Sequence, residues 1–125
     1  MNYNPKQGDI IKLDFSPTKG HEQRGRRPAL VVSNDTYNKH GRGIVIVCPI
    51  TNTDRGIDTQ IKLDDRTTTA GVIMTDQIKA LDLKQRNPDY IEDIPLDILV
   101  EICDIIGGFT EIENLEQDGK TTEEP

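Results

Sequence analysis

Apolar and polar residues alternate near the start of the chain, where Ile11, Leu13 and Phe15 are separated by Lys12 and Asp14. A period of two with β-branched residues predicts a half-buried strand over 10–15. The run PALVVSN (28–34) predicts a second strand. Pro28 brings no N–H to a ladder, so it belongs at the start of that strand or on an edge. Asn34-Asp35 suits the N-cap of one helical turn at TYNK. In GIVIVCPIT (43–51) the unbroken β-branched residues 44–47 predict a central strand buried on both faces. Pro49 marks where its regular pairing stops and leaves Thr51 at the strand's mouth. A turn (52–58), a short alternating strand (59–63) and a loop, DDRTTTAG, come next. Residues 71–75 and 77–81 then form two strands or one bent strand, and NPDYIEDIP is irregular. The strongest helix signal spans Pro95 to Gly107. Pro opens it, Asp97 sits in its first turn, and Gly107-Gly108 closes it. Leu96, Leu99, Ile102, Cys103 and Ile106 share one face at helical spacing, so this helix packs on a sheet. The pattern predicts a mainly β fold with helices: a small, partly open barrel with a C-terminal helix packed on it.

Composition sharpens this outline in a few respects. A chain of 125 residues is expected to be one domain with a single modest core, which must come from Ile, Leu and Val because there is no Trp. We place that domain at residues 1–110. Residues 111–125, with six acidic side chains against one lysine, read as an acidic, mobile tail. No window approaches the roughly 18 consecutive apolar residues a membrane span needs. The first residues, MNYNPKQGD, lack an apolar signal region. Cys48 and Cys103 each lie inside an apolar run, where a cysteine is a small buried hydrophobe rather than a ligand or a bridge. Together these features point to a reduced, cytoplasmic protein.

Net charge is −7, which by itself argues against a nucleic-acid partner. The distribution changes that picture: residues 1–60 carry +3 and residues 61–125 carry −10. Fields are screened over roughly 8–10 Å at physiological salt, so an anionic ligand still favours the basic half. The basic residues concentrate between Asp14 and Ser33, in a polar loop clamped by strands that holds Lys19, Arg24, Arg26 and Arg27 with Glu22 and His21. Such loops on rigid scaffolds are frequent binding and catalytic sites.

Several chemistries lack their signatures. The two histidines, His21 and His40, fall in separate loops without CxxC, HExxH or EF-hand spacing, so no metal site and no cofactor is expected. Neither a GxSxG elbow nor a P-loop is present. Asp64-Asp65 sits in a threonine-rich turn, where paired acids face solvent. Arg27, Thr51 and Glu22 remain. Arginine offers a rigid fork of donors suited to phosphate oxygens, and it can stabilise the charge of a five-coordinate phosphorus. Thr51 adds a hydrogen bond to the same oxygens, and Glu22 can accept the proton of a ribose 2′-hydroxyl. That set needs no metal but needs RNA. Equally, Arg27 and Glu22 can pair with each other and simply fix the loop.

The run GDIIKLDFSPTKGHEQRGRRPALVVSND, then CPIT and later TDQIKAL, closely resembles the MazF/PemK family of toxin–antitoxin ribonucleases over about residues 7–110. The resemblance implies an SH3-like barrel, a homodimer, and metal-independent cleavage of single-stranded RNA at a short sequence. The products would be 2′,3′-cyclic phosphate and 5′-hydroxyl ends. It implies catalytic roles for Arg27, in the RP pair, and for Thr51, after the strand proline. The E-Q of the loop matches Glu22 and Gln23, while Gln77 and Lys79 match the DQ-K positions along the RNA groove. Lys19, His21, Arg24 and Arg26 complete the basic face of the loop, and His21 and Arg24 stand where relatives vary and bear on base preference. A cognate antitoxin is also implied, its acidic segment competing for the same arginines. The competing reading is a non-catalytic, gyrase-binding toxin of the CcdB type on the same barrel, which has no need of the Arg/Thr pair. A plain RNA-binding barrel is disfavoured, because two Phe and three Tyr give few aromatics for stacking bases.

Overall fold

The computed structural model describes residues 3–16 and 25–114. Strands β1 (Asp9–Asp14) and β2 (Arg26–Val31) are followed by helix α1 (Asp35–His40) and the long strand β3 (Ile44–Thr51). Then come β4 (Gln60–Lys62), β5 (Val72–Met74), β6 (Lys79–Asp82), β7 (Asp89–Asp93) and helix α2 (Leu96–Phe109). Short 3₁₀ turns at Thr75–Gln77 and Leu83–Gln85 flank β6. The seven strands form one antiparallel sheet in the order β4-β5-β3-β2-β1-β7, with β6 paired to β3 beside β5. β4 and β7 do not pair with each other, so the sheet is curled but not closed.

β3 is buried on both faces, as its unbroken apolar run predicts. Val45 and Val47 face one cluster with Ile11, Leu13, Ala29, Val31 and Leu83. Cys48 and Ile50 face the other, which Ile98 and Ile102 of α2 complete. Burial pushes the Cys48 thiol up to about 12, so it stays protonated as part of the core. Pro49 marks a change of partner rather than the strand's end. β3 pairs with β2 as far as Ala29↔Pro49 and then crosses to β5 at Ile50↔Ile73 and Thr51↔Val72. That switch carries Thr51 out of the ladder with β2 and to the rim.

The structure corrects the sequence reading in four places. β1 contributes to the core from both faces, Ile10 packing in the cluster that α2 completes and Ile11 and Leu13 in the other, while Lys12 stays exposed. β2 begins at Arg26, two residues before Pro28. The proline is tolerated because pairing with β3 starts only at Ala29. The segment read as irregular contains β7, which pairs antiparallel with β1. α2 runs through Gly107-Gly108 to Phe109, and its core face uses Ile98, Ile102, Leu99 and Ile106, whereas Leu96 is 72% exposed. Pro95 is the N-cap residue, not the first helical one. The turn predicted at TYNK is α1, capped by the Asn34 side chain accepting from the Tyr37 N–H at 2.8 Å. α2 ends at Phe109 and residues 111–114 are not helical; the remainder of the acidic tail lies outside the described residues.

Candidate active site

Arg27 and Thr51 come together at one end of the sheet. Arg27 projects from the start of β2 and is exposed, and among the described residues its guanidinium is in no ion pair. Thr51 ends β3 half-buried, and its Oγ1 accepts from the Thr53 N–H at 3.2 Å. Two cavities meet at these residues and share Arg27, Thr51 and Thr53. The first, about 520 Å³, is walled by Pro28, Ile50, Asn52 and the Thr69-Ala70 segment. The second, about 380 Å³, is walled by Arg55, Ile57, Gln60, Asp76 and Gln77. A chain laid across both would pass Arg27 and Thr51 at its middle. Donors and acceptors on either side are suited to the units flanking a phosphodiester.

The loop beyond Ser16 is held at its stem. The Phe15 N–H donates to the Gly25 carbonyl at 2.8 Å. Arg86 donates to the carbonyls of Asp14 (3.0 Å) and Phe15 (2.6 Å), and its own carbonyl accepts from the Asp14 N–H at 2.8 Å. Arg26 is committed to the same stem, bonding Asp14 at 3.2 Å, the Asn87 carbonyl at 2.9 Å, and Asp89. The hydrogen bond from Asn87, reinforced by Arg26, holds the Asp14 carboxyl below the usual carboxylate range. Arg26 thus lines the first cavity with its fork occupied. Arg86→Ala would leave two carbonyls without their donor. It is expected to destabilise the fold by about 1–3 kcal/mol, read as a lowered midpoint in thermal denaturation.

Of the other residues nominated from sequence, Gln77 lines the second cavity. Lys79 lines neither, and its ammonium lies 5.5 Å over the Phe15 ring, against the loop stem. Lys19, His21, Glu22, Gln23 and Arg24 lie outside the described residues. Asp64 and Asp65 are exposed, with Asp64 paired to Arg66 at 2.9 Å. Among the described residues no three His, Cys, Asp or Glu side chains are grouped as metal ligands, and no helix is long and apolar enough to cross a membrane. Sequence reading missed Asn52, Thr53, Arg55, Asp76 and the Thr69-Ala70 wall. The first three lie within the four residues after Thr51, and that polar run, NTDR, is a usable signal. The wall was not foreseeable, because it comes from the loop between β4 and β5 folding back on Thr51.

The profile of the PemK-like, MazF-like toxin of type II toxin-antitoxin systems matches residues 6–109. Endoribonuclease toxin MazF of Escherichia coli K12 is 38% identical over 84 residues, covering 67% of this chain and 74% of the relative. Endoribonuclease PemK of Escherichia coli is 35% identical over 103 residues, covering 78% of this chain and 75% of the relative. The crystal structure of MazF from Deinococcus radiodurans superposes with a TM-score of 0.75 at 34% identity, covering 86% of this chain and 97% of that one. A MazE-MazF structure from the same organism gives 0.78 at 31% identity, covering 89% and 100%.

Proposed function

The chain belongs to the PemK-like, MazF-like toxin family of type II toxin–antitoxin systems, and from that premise we propose that it is a sequence-specific, metal-independent endoribonuclease. Its substrate is single-stranded RNA. The observation that carries this reading is the meeting of Arg27, exposed and in no ion pair among the described residues, with Thr51 where two polar cavities join. The 2′-oxygen attacks the adjacent phosphorus while Glu22 accepts its proton. The bond from phosphorus to the 5′-oxygen breaks, and that oxygen takes up a proton. The products are a 2′,3′-cyclic phosphate and a 5′-hydroxyl. Arg27 and Thr51 act on the non-bridging oxygens, where charge grows in the transition state and a preorganised donor gains most.

Basic loop residues and Gln77 hold the flanking nucleotides in this scheme, and Lys79 supports the loop from Phe15. The protein works in the cytoplasm as a homodimer. A cognate antitoxin restrains it by laying an acidic segment over Arg27, a partnership supported by the MazE-MazF complexes of the relatives.

The test is cleavage of mixed RNA by purified protein in EDTA, with the ends mapped. We expect cutting at a short motif with 2′,3′-cyclic phosphate termini. An oligonucleotide carrying 2′-deoxyribose on the 5′ side of the mapped bond should bind yet stay intact, because its nucleophile is gone. Cleavage of that deoxy substrate, or cutting that requires a divalent ion, would overturn the mechanism. Tight gyrase binding without RNA cleavage would favour the CcdB-like alternative.

A further inference from the structure

Glu92, on β7, makes a contact that neither the catalytic scheme nor the barrel ladder requires. Its carboxylate accepts from the Thr68 N–H (3.0 Å), the Thr68 hydroxyl (2.9 Å), the Thr69 N–H (2.8 Å) and the Thr69 hydroxyl (2.7 Å). β7 is at one end of the strand order, and the Thr68-Thr69 segment belongs to the loop joining β4 and β5 at the other. Side chains thus bridge the gap that the backbone leaves open. A second clamp lies beside it, with Arg66 bonding Asp64 and, by two parallel bonds of 2.9 and 3.0 Å, Asp97 at the start of α2. Within the loop, the Thr67 hydroxyl donates to the Thr69 carbonyl at 2.7 Å, and the loop's base is closed by the Leu63 N–H on the Gly71 carbonyl at 3.0 Å.

This fixed loop ends on the proposed catalytic threonine. Thr69 and Ala70 wall the first cavity. Gly71 then packs so closely on Thr51 that a Cβ there would sit 2.4 Å from the Thr51 carbonyl oxygen. We propose that Glu92 is a positioning residue for RNA cleavage: by anchoring Thr68 and Thr69, it sets the cavity wall and holds Thr51 in register. The inference rests on the endoribonuclease reading for its activity, and on geometry alone for the coupling. Charge-assisted bonds to two backbone N–H groups and two hydroxyls suit the role, because one rigid carboxylate fixes four donors at once. Burial of Glu92 opposes its charge, but these bonds outweigh that and keep its carboxyl below the ordinary range, so it is ionised at neutral pH.

The experiment compares Glu92→Ala, Glu92→Gln, Thr51→Ala and the Glu92→Ala/Thr51→Ala double variant, assayed well below the lowest melting temperature. Glu92→Ala should lower the saturating cleavage rate about 10–30-fold and move KM by less than about threefold. Glu92→Gln should recover part of the rate, since one carbonyl oxygen can still accept the three bonds made at Oε2. On the Thr51→Ala background, Glu92→Ala should cost less than about threefold, because the route to the chemistry is already gone. Amide hydrogen exchange gives a readout free of activity: Thr68, Thr69 and also Thr53, whose N–H rests on Thr51, should exchange faster in Glu92→Ala. A rate within twofold of wild type, an undiminished loss on the Thr51→Ala background, or faster exchange confined to Thr68 and Thr69 would overturn the proposal. If the wild-type protein cuts no RNA, the endoribonuclease reading fails, and the Thr53 exchange still decides whether Glu92 is coupled to Thr51.

Discussion

Arg27→Ala is expected to lower the saturating rate of RNA cleavage by about 10²–10³-fold, the usual consequence of removing a preorganised donor from a developing oxyanion. The fold should survive, because Arg27 is exposed and forms no ion pair among the described residues, so no buried group among them loses an ionic partner. Contrast Arg26, one position earlier, which ties Asp14, Asp89 and the Asn87 carbonyl together. Arg26→Ala should chiefly reduce stability, whereas Arg27→Ala should leave thermal denaturation within a degree or two of wild type. Arg27→Lys separates charge from shape. An ammonium keeps the attraction but loses the rigid fork, so an intermediate rate is expected if both phosphate oxygens are engaged. Single-turnover cleavage of an end-labelled RNA, with melting curves on the same samples, makes the measurement. Full activity in Arg27→Ala would remove Arg27 from the chemistry.

The parts of this site that the sequence made legible are those in which local pattern and tertiary role agree. Pattern alone puts Arg27 and Thr51 at the boundaries of apolar runs, where a sheet presents side chains to a ligand, and their catalytic assignment comes from the resemblance to the family's RP pair and strand proline. The continuous apolar run of β3 announced burial on both faces, and the two clusters either side of it bear that out. The errors arose where tertiary context overrode local signals. DYIED carries too many charges to look like a strand, yet it forms β7, a strand paired on one edge only, and those charges are then used for structure: Asp89 on Arg26 and Glu92 on the Thr68-Thr69 segment. In α2 the periodicity was right but its phase was not. Leu96 and Ile98 lie on different sides of the first turn, and it is Ile98 that meets the core while Leu96 faces out. The Thr69-Ala70 wall could not be read at all, since Thr67 to Thr69 signal only a polar turn. Its role comes from Glu92, reached through strand order rather than sequence proximity.

The close approach of that loop to Thr51 makes Gly71→Ala a strongly damaging substitution. Gly71 has φ of +116°, a backbone conformation that residues with a Cβ rarely adopt, and its added Cβ would lie 2.4 Å from the Thr51 carbonyl oxygen and 3.2 Å from Asn52 Oδ1. A flexible neighbour could give way, but here the obstacle is the backbone at the junction of β3 with β5, where Thr51 pairs with Val72. The combined strain and displacement should cost about 2–4 kcal/mol, which lowers the melting temperature by roughly 8–20 °C for a domain of this size. Gly56 supplies the control: its φ is +66°, but nothing lies within 4 Å of its Cβ position. Gly56→Ala should therefore pay only the left-handed backbone cost of about 1–2 kcal/mol. The two variants differ further in catalysis. Assayed below its own melting temperature, Gly71→Ala should still lose more than about tenfold in cleavage rate, since the methyl group must push Thr51 or the cavity wall out of place. Gly56→Ala, with no such obstacle, should retain a larger share of the wild-type rate. Equal stability and equal activity in the two variants would mean that the close approach of Gly71 to Thr51 is not what holds the cleavage site in shape.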